Sequence, residues 1–337
     1  MIGSAIDADE QGDTMDATTN GGADVMGPAI EVIGLRKTYP GGVEAVAGID
    51  FTVRPGEVFG LLGPNGAGKS TTIGMLTTTV EPTAGSAWVA GFDVVRDPIG
   101  ARSVSAVVFQ EAVVDASLTG QRNLEIHARL WGVPKATSQK TIAGVVESFG
   151  LSDLIGRTVE TYSGGQRRRL EIARSLVSGP EVLFLDEPTV GLDPRIRYEL
   201  LDLIGTLRAS DGMTIVLTTH YLDEAERLCD RIAIVHAGKI VALDTPAALL
   251  NSLGNEILEL RVSADVEALL SFLRAHGHAG DDAFAVGTTV TVPLRGTTAA
   301  RVVDSVEEFG AAVTATTTRP PSLDDVYLRL TGTRLAA

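Results

Sequence analysis

Short apolar runs alternate with stretches of helical periodicity along the chain from Ile30 onward. A strand buried on both faces of a parallel sheet reads as a continuous apolar run, whereas a surface helix shows an apolar residue every three or four positions. The predicted strands of this region are Ile30 to Leu35, Val43 to Val53, Val58 to Leu62, Ala106 to Phe109, Val182 to Leu185, Thr214 to Thr218 and Ile232 to Val235. The predicted helices are Thr119 to Trp131, Ser138 to Phe149, Ser163 to Val177 and Pro194 to Arg208. This alternation favours an α/β domain built on a parallel sheet.

The pattern restarts after about Leu250 with the order strand, helix, two strands, helix, strand, which is typical of a small ferredoxin-like α+β domain. Its predicted elements are Ile257 to Val262, Asp265 to His276, Phe284 to Pro293, Ala299 to Phe309 and Ala312 to Thr317. Pro320 and Pro321 interrupt the chain before a last predicted helix from Leu323 to Leu330. We expect three parts, namely a tail over residues 1–27, a large domain over 28–250 and a small domain over 251–337.

Length and composition agree with a folded protein of two domains. The chain has 337 residues, of which 44% are hydrophobic and 21% are charged. These fractions are typical of globular proteins and exclude a disordered or fibrous chain. The formal net charge of −15 argues against a general surface for nucleic acids or anionic lipids, and we therefore expect no nucleic-acid partner.

Acidic residues are concentrated in the first 27 residues, which contain no Lys or Arg. The acidic residues of this segment are Asp7, Asp9, Glu10, Asp13, Asp16 and Asp24. A segment of this composition, rich also in Gly, Thr, Asn and Ala, cannot bury enough apolar surface to fold. It is predicted to be a disordered acidic tail.

No apolar run is long enough to cross a membrane, since about 18 to 20 apolar residues are needed and the most apolar runs here are of strand length. The N-terminus has neither the basic segment nor the apolar core of a secretory signal, which predicts a cytoplasmic chain. The single cysteine, Cys229, cannot form an internal disulfide. It is interpreted as a buried or half-buried thiol in a helical run from Glu224 to Asp230.

A phosphate-binding loop (P-loop) is predicted directly after the apolar strand that ends at Leu62. Its sequence fits the pattern G-x-x-x-x-G-K-S and consists of Gly63, Pro64, Asn65, Gly66, Ala67, Gly68, Lys69 and Ser70. Glycines allow backbone N–H groups to surround phosphate oxygens at a helix N-terminus, where the helix dipole favours anions. Lys69 is predicted to neutralise the β- and γ-phosphates of ATP, and Ser70, with Thr71 beside it, to bind Mg²⁺.

Two carboxylates follow the apolar strand from Val182 to Leu185. Asp186 is predicted to hold Mg²⁺. Glu187, one residue later, is predicted to point to the other side and to act as general base toward the water that attacks the γ-phosphate. A strand that ends in Asp-Glu is often only a solvated strand end, but the upstream P-loop favours the catalytic interpretation.

A second anion-binding element is predicted at the start of the helix that follows Tyr162. Its residues are Ser163, Gly164, Gly165 and Gln166. Ser163 is a favourable N-cap, and the N–H groups of the first helical turn attract anions. At this point the chain resembles the ATP-binding cassette (ABC) ATPase family, whose signature is typically Leu-Ser-Gly-Gly-Gln. Tyr162 stands in place of the leucine, as in cassettes similar to those of drug exporters.

The resemblance covers roughly Ile30 to Thr245 and implies further site residues. It implies that Tyr39 stacks on adenine, that Gln110 reaches Mg²⁺ and responds to the transporter partner, and that His220 contacts the γ-phosphate. Asp193, in the sequence Gly-Leu-Asp, corresponds to a loop that crosses the dimer interface in this family. Taken alone, a tyrosine or a histidine in such a position is more often structural.

In this family each ATP lies between the P-loop of one subunit and the signature of another. The chain has one copy of each motif, which implies a dimer, either of two identical chains, as we predict, or with a different cassette. The implied fold is an ABC cassette of the P-loop NTPase class, with a parallel sheet core, an antiparallel subdomain and a helical subdomain. The ferredoxin-like domain follows it.

Three segments resemble the daunorubicin/doxorubicin-resistance branch of the family, namely residues 117–132, the arginine run 167–169 and residues 321–328. The arginine run is either a solvated basic helix face or a coupling element. The C-terminal domain either stabilises the dimer or carries a substrate-binding or regulatory site.

The chain is therefore predicted to be the ATPase subunit of an exporter of drugs or other lipophilic compounds. The resemblance implies an integral-membrane permease as its partner and a place at the cytoplasmic face of the membrane. An importer ATPase and a soluble ABC ATPase that acts on ribosomes or DNA are the alternatives.

Overall fold

The computed structural model describes residues 27–111 and 113–333, and three β-sheets organise them. The strands are β1 (Ile30–Tyr39), β2 (Val43–Val53), β3 (Val58–Leu62), β4 (Ala84–Val89), β5 (Phe92–Asp93), β6 (Ser105–Val108), β7 (Val182–Asp186), β8 (Thr214–Thr219), β9 (Arg231–His236), β10 (Lys239–Asp244), β11 (Ile257–Ser263), β12 (Phe284–Val286), β13 (Thr289–Pro293) and β14 (Ala312–Arg319). The helices are α1 (Lys69–Leu76), α2 (Pro98–Ser103), α3 (Gly120–Leu130), α4 (Lys135–Ser148), α5 (Gly164–Leu176), α6 (Pro194–Asp211), α7 (Leu222–Leu228), α8 (Pro246–Asn251), α9 (Val266–Ala275), α10 (Ala299–Glu308) and α11 (Leu323–Thr331).

The central sheet has the strand order β10-β9-β3-β8-β7-β6. Strands β9, β3, β8, β7 and β6 are parallel, and β10 joins the edge as an antiparallel strand. Every residue of β3, β7 and β8 is buried, as expected for continuous apolar runs covered on both faces. Because these strands are parallel, their carboxyl ends meet at one edge of the sheet.

An antiparallel sheet of order β2-β1-β4-β5 packs against the central sheet. Phe51 of β2 and Phe59 of β3 stack with ring centroids 5.1 Å apart and join the two layers. A helical unit of α3, α4 and α5 covers another part of the core, where Leu124, Phe149 and Leu170 are buried together. This architecture agrees with the predicted parallel sheet core, antiparallel subdomain and helical subdomain.

The third sheet has the order β12-β13-β11-β14, and all of its neighbouring strands are antiparallel. Helices α9 and α10 close its core, in which Leu258, Leu269, Val290 and Val306 are buried. The order along the chain is β-α-β-β-α-β, as the sequence pattern predicts, and the arrangement is ferredoxin-like.

The apolar side chains of the last helix, α11, pack on the cassette. Leu323, Val326 and Tyr327 belong to the same buried core as Leu249 of α8 and the central sheet. The division at residue 251 stays a prediction, but packing assigns α11 to the core of the large domain. The predicted acidic tail, apart from Gly27, lies outside the described residues.

Cys229 lies one residue beyond the end of α7, and not inside a helix as the sequence pattern predicts. The helix ends at Leu228 because Cys229 adopts an extended backbone conformation that leads into β9. The thiol is buried against Gly60, where a Cβ atom would lie 2.7 Å from the sulfur. The interpretation as a buried thiol is confirmed, and this burial raises its pKa.

Candidate functional site

The P-loop connects β3 to α1 at the carboxyl edge of the central sheet. Its glycines permit close approach of other backbone segments. A Cβ on Gly63 would collide with the carbonyl oxygen of Val235, and a Cβ on Gly68 would collide with that of Ala45. Gly68 also adopts φ 106°, a left-handed conformation that favours glycine, directly before the first residue of α1.

The Lys69 ammonium is held inside this loop. Its Nζ donates to the carbonyl oxygens of Gly63 at 2.7 Å and Pro64 at 3.1 Å and lies 3.2 Å from Oε1 of Glu187. Only 3% of the lysine side chain is exposed. The structure therefore places a nearly buried positive charge between the P-loop and the residues that follow β7.

Asp186, the last residue of β7, faces the start of α1. Its Oδ1 accepts hydrogen bonds from Ser70 Oγ at 3.1 Å and from Thr218 Oγ1 of β8 at 2.5 Å. Thr218 Oγ1 also accepts from the backbone N–H of Glu187 at 2.9 Å. One threonine on the neighbouring strand thus fixes the positions of both consecutive acidic residues.

Glu187 has φ +45°, a conformation that is rare outside glycine and that marks local strain in the backbone. Simple strand alternation predicts that its side chain and that of Asp186 point to opposite sides. The left-handed residue interrupts this alternation, and the Glu187 carboxylate lies beside Lys69 and 3.4 Å from Nδ1 of His220. Both carboxylates therefore face the P-loop.

His220 directly follows β8 and is mostly buried, with 13% of its side chain exposed. Its Nδ1 is buried without a hydrogen-bond partner among the described residues, although the Glu187 carboxylate is near. The ring lies 4.2 Å from that of Tyr221, centroid to centroid. The imidazole is thus packed in place at the site with its Nδ1 facing the Glu187 carboxylate.

Glu224 of α7 stabilises the segments next to Glu187 and His220. Its carboxylate accepts hydrogen bonds from Thr189 Oγ1 at 2.5 Å and from Thr219 Oγ1 at 2.7 Å. Burial raises the pKa of Glu224, and the two hydrogen bonds oppose that effect. Glu224 therefore connects the segment after Glu187 to the segment before His220.

Tyr39 and Gln110 lie at the margins of the cluster. Tyr39 ends β1, and its hydroxyl lies 3.5 Å from Oγ1 of Thr71 in α1. Its ring is partly exposed, as a surface for stacking requires. Gln110 is exposed and follows β6, the strand next to β7, and thus lies at the same edge of the sheet.

The signature residues form a separate cluster at the start of α5. The Ser163 side chain accepts from the N–H of Gln166, and the Gln166 side chain accepts from the N–H of Ser163 at 2.9 Å. This capping box leaves the first-turn N–H groups of Gly164 and Gly165 without intrahelical acceptors. A Cβ on Gly165 would collide with Ile196 of α6.

Asp193 caps α6, where its Oδ1 accepts from the N–H of Ile196 at 3.1 Å, and Ile196 itself packs next to Gly165 of the signature. Tyr162 is buried, and its hydroxyl donates to the carbonyl oxygen of Leu154 at 2.5 Å. Within the described ranges, no hydrogen bond or ion pair joins residues 163–166 to residues 63–71. The structure brings the P-loop, both carboxylates and His220 together but leaves the signature apart.

Sequence analysis assigned no role to Thr218 and Glu224, which support the site, and it left the arginine run that contains Arg168 open between a solvated face and a coupling element. Thr218 and Glu224 flank His220 in the sequence but carry no motif of their own. The interpretation of the arginine run as a solvated face is wrong for Arg168, which is buried and donates to the carbonyl oxygens of Phe109 and Pro188 at 2.6 and 2.8 Å. An acidic residue three positions later, Glu171, is the signal that points to this pairing.

Comparison with known proteins places these motifs in a family. The family model described as "ABC transporter" matches residues 46–190. The chain is 44% identical over 310 residues to the daunorubicin/doxorubicin resistance ATP-binding protein DrrA of Streptomyces peucetius, a match that covers 90% of this chain and 92% of that protein. It is 38% identical to the Nod factor export ATP-binding protein I of Ralstonia nicotianae, with 90% and 94% covered.

Solved structures give the same result. The structure of cbiO1 from Clostridium perfringens, part of the ABC transporter complex cbiONQ, matches with a TM-score of 0.62 and 27% identity. The match covers 66% of this chain and 90% of that protein. A structure described as the ATP binding subunit of an ABC transporter matches with a TM-score of 0.60 and 29% identity and covers 67% of this chain and 93% of that one.

Proposed function

Because this chain belongs to the family of ABC transporter ATP-binding proteins, we propose that it is the ATP-hydrolysing subunit of an exporter. ABC cassettes bind and hydrolyse ATP to power transport. The observation that carries the proposal is the convergence of Lys69, Asp186 and Glu187 at one edge of the central sheet. The resistance and export names of the relatives favour export of a drug or another lipophilic compound over import.

We assign the catalytic roles as follows. Lys69 binds the β- and γ-phosphates together with the backbone N–H groups of residues 65–71. Glu187 takes a proton from the attacking water, because its carboxylate lies between Lys69 and His220. His220, which lies beside Glu187 at the same edge of the sheet, contacts the γ-phosphate with its imidazole ring. Tyr39 stacks on the adenine ring beside α1.

The donor atoms near the P-loop fit Mg²⁺. The Ser70 hydroxyl and the Asp186 carboxylate lie 3.1 Å apart, and oxygen donors of this kind, completed by phosphate oxygens and water, suit that ion. Gln110 would complete the set from the neighbouring strand end. Among the described residues there is no cluster of three or more His, Cys, Asp or Glu side chains for a metal, which agrees with an ion held mainly by the nucleotide. Bound Mg²⁺ would neutralise charge on the phosphates.

ATP-binding subunits of ABC transporters dimerise and work with membrane components. For this chain we propose a homodimer in which Ser163, Gly164, Gly165 and Gln166 of one copy bind the phosphates held by the P-loop of the other. The capping box supports this assignment, because it orients the free N–H groups of the first turn outward from α5. Asp193 would lie at the same interface, beside the signature.

The membrane partner is proposed to be a separate permease, with this chain at the cytoplasmic face. Of the residues that the structure describes, none lies in a helix long and apolar enough to span a bilayer. To test this, the full-length chain is tagged in its native host and purified from gently solubilised membranes. A co-purifying multi-span protein supports the proposal, whereas ribosomal or DNA-repair proteins without a membrane protein overturn the transport assignment and leave the ATPase assignment standing.

The direction of transport is tested with the purified complex in inside-out vesicles and with doxorubicin as the probe. Export predicts that ATP added outside drives accumulation of the probe in the vesicle lumen. The Glu187→Gln complex is the matched control and should accumulate none. Probe release from preloaded vesicles on addition of ATP would overturn export in favour of import.

A further inference from the structure

Helix α5 contacts the segment between β6 and α3 through three side chains spaced three residues apart. Arg168 Nη1 donates to the carbonyl oxygen of Phe109 at 2.6 Å. Glu171 Oε1 accepts from the N–H of Val113 at 3.0 Å, and Arg174 Nη1 donates to the carbonyl oxygen of Val113 at 3.1 Å. Residues at this spacing share one helix face. The segment that contains Gln110 is therefore held along one side of α5.

The same arginine also contacts the chain that follows β7. Arg168 Nε donates to the carbonyl oxygen of Pro188 at 2.8 Å, and Nη2 donates to that of Asp186 at 3.2 Å. Glu171 Oε2 accepts from Arg168 Nη1 at 3.0 Å and neutralises its charge. Both side chains are more than nine-tenths buried. One guanidinium thus bridges the Gln110 segment and the backbone of the catalytic carboxylates.

A guanidinium is suited to this bridge because its five N–H donors have a fixed planar geometry. A lysine ammonium at this position offers a point charge on a flexible stem and cannot reproduce the fork. If either backbone segment shifts alone, a buried charged donor loses its acceptor, which is energetically costly. The two segments are therefore expected to move together.

We propose that Arg168, oriented by Glu171, is a positioning residue that couples the Gln110 segment to Asp186 and Glu187. Movement of the Gln110 segment then changes the placement of the catalytic carboxylates relative to the P-loop. This inference rests on the proposed roles of Gln110, Asp186 and Glu187 in ATP hydrolysis.

The test compares Arg168→Lys with Arg169→Lys in the full-length chain. Arg169 is the matched control, because it is the adjacent arginine and pairs with Glu199 at 2.7 Å in a partly exposed position. Arg168→Lys is expected to lower kcat about 10- to 100-fold while KM for ATP stays within about twofold, since positioning and not nucleotide binding is lost. It should also speed backbone hydrogen exchange in both segments, at residues 109–113 and 186–190. Arg169→Lys should change neither quantity.

A second variant, Glu171→Gln, keeps an acceptor for Val113 but removes the charge that orients Arg168. If Arg168→Lys does not fold, Glu171→Gln is expected to show the same lower kcat, the same KM for ATP and the same faster hydrogen exchange in both segments. In the double variant the two effects on kcat should be less than additive, because both residues act through one bridge. An Arg168→Lys protein with unchanged kcat, or with exchange altered in only one of the two segments, overturns the coupling. Hydrolysis at the wild-type rate by Glu187→Gln would instead overturn the proposed catalytic role, and the exchange measurement decides the coupling independently of it.

Discussion

Two ion pairs with a buried carboxylate have different surroundings. The Lys69–Glu187 pair lies at the carboxyl edge of the central sheet, which we call the nucleotide edge. The Arg319–Asp325 pair lies where β14 leads into α11, which we call the C-terminal anchor. Asp325 is 1% exposed and accepts two hydrogen bonds from Arg319 at 2.8 Å and one from the N–H of Ser322 at 2.7 Å. Arg319 also binds Glu259 of β11 at 2.6 Å. The C-terminal anchor thus connects the third sheet to α11. Each of its charged side chains, Glu259, Arg319 and Asp325, has an oppositely charged partner.

At the nucleotide edge the matching is incomplete. Glu187 has a strained backbone and faces one lysine, and Nδ1 of the neighbouring His220 is buried without a hydrogen-bond partner among the described residues. Lys69 binds main-chain carbonyl oxygens of its own loop, which anionic phosphates can replace as its partners.

The comparison separates two uses of buried charge. Burial of a charge lowers the free energy of unfolding unless the charge is paired and hydrogen-bonded. Asp325 in the C-terminal anchor meets both conditions. The nucleotide edge keeps unsatisfied groups and strain, which cluster where ligands bind and react. Substitutions in the first region should therefore affect stability, and substitutions in the second should affect activity.

The largest effect on turnover with ATP binding intact is expected for Glu187→Gln. Loss of the general base should lower steady-state ATP turnover about 10²- to 10⁴-fold, while ATP binding is retained because Lys69 and the P-loop are intact. Phosphate release and equilibrium nucleotide binding measure the two quantities. Glu181→Gln, at the exposed opposite end of β7, is the control and should hydrolyse ATP normally. Near-wild-type turnover by Glu187→Gln would refute the base assignment.

Lys69→Ala should weaken ATP binding about 10- to 100-fold and abolish measurable hydrolysis, because charge-assisted contacts to two phosphates are lost. Binding of a fluorescent ATP analogue measures the affinity. Lys140→Ala, exposed on α4, should bind ATP with wild-type affinity. If Lys69→Ala keeps full affinity, the ammonium does not contact the phosphates.

The sequence predicts the central sheet well because β3, β7 and β8 are buried on both faces and contain continuous apolar runs. It does not predict β4 or β10. Both strands join their sheets through backbone hydrogen bonds, and most of their residues are exposed or half-buried. Continuous apolar runs therefore identify the strands that are buried on both faces, and the half-buried β1 and β2 were also found, from their β-type sequences on either side of the Pro40-Gly41-Gly42 turn.

The P-loop and the two carboxylates were found from motifs, because the chemistry of phosphate binding fixes residue types at fixed spacing. The supporting residues were not found, because their roles depend on contacts between distant segments. Thr218 matters since it lies beside Asp186 on the next strand, and Arg168 differs from Arg169 only in the helix face that the fold covers.

At the anchor, Asp325→Ala should lower the free energy of unfolding by about 1–3 kcal/mol. The loss is smaller than the about 3–5 kcal/mol typical of a fully buried pair, because Arg319 is 33% exposed and keeps Glu259. Denaturant unfolding measures the change. Turnover per folded molecule should stay at the wild-type level, and Asp304→Ala, exposed on α10, should alter neither property. Loss of ATPase activity by folded Asp325→Ala would erase the distinction between the two regions.

The smallest effect at neutral pH concerns His127 of α3, a half-buried titratable group without a carboxylate partner among the described residues. Burial, and then the charge of Arg174, lowers the pKa of His127 from 6.5 to about 4. Between these values the unfolded chain binds a proton that the folded chain does not, and the free energy of unfolding therefore falls as the pH is lowered from about 6.5 to about 4. One proton contributes at most about 1.4 kcal/mol per pH unit.

His127→Gln should remove this part of the pH dependence, because glutamine has a similar size and does not titrate. Denaturant unfolding at about pH 7.5 and about pH 5 then shows a smaller difference for the variant than for the wild type. The exposed His276→Gln is the matched control and should keep the wild-type difference. Equal pH dependence in His127→Gln and the wild type would mean that folding does not lower the pKa of His127, and that a half-buried imidazolium needs no carboxylate partner in this protein.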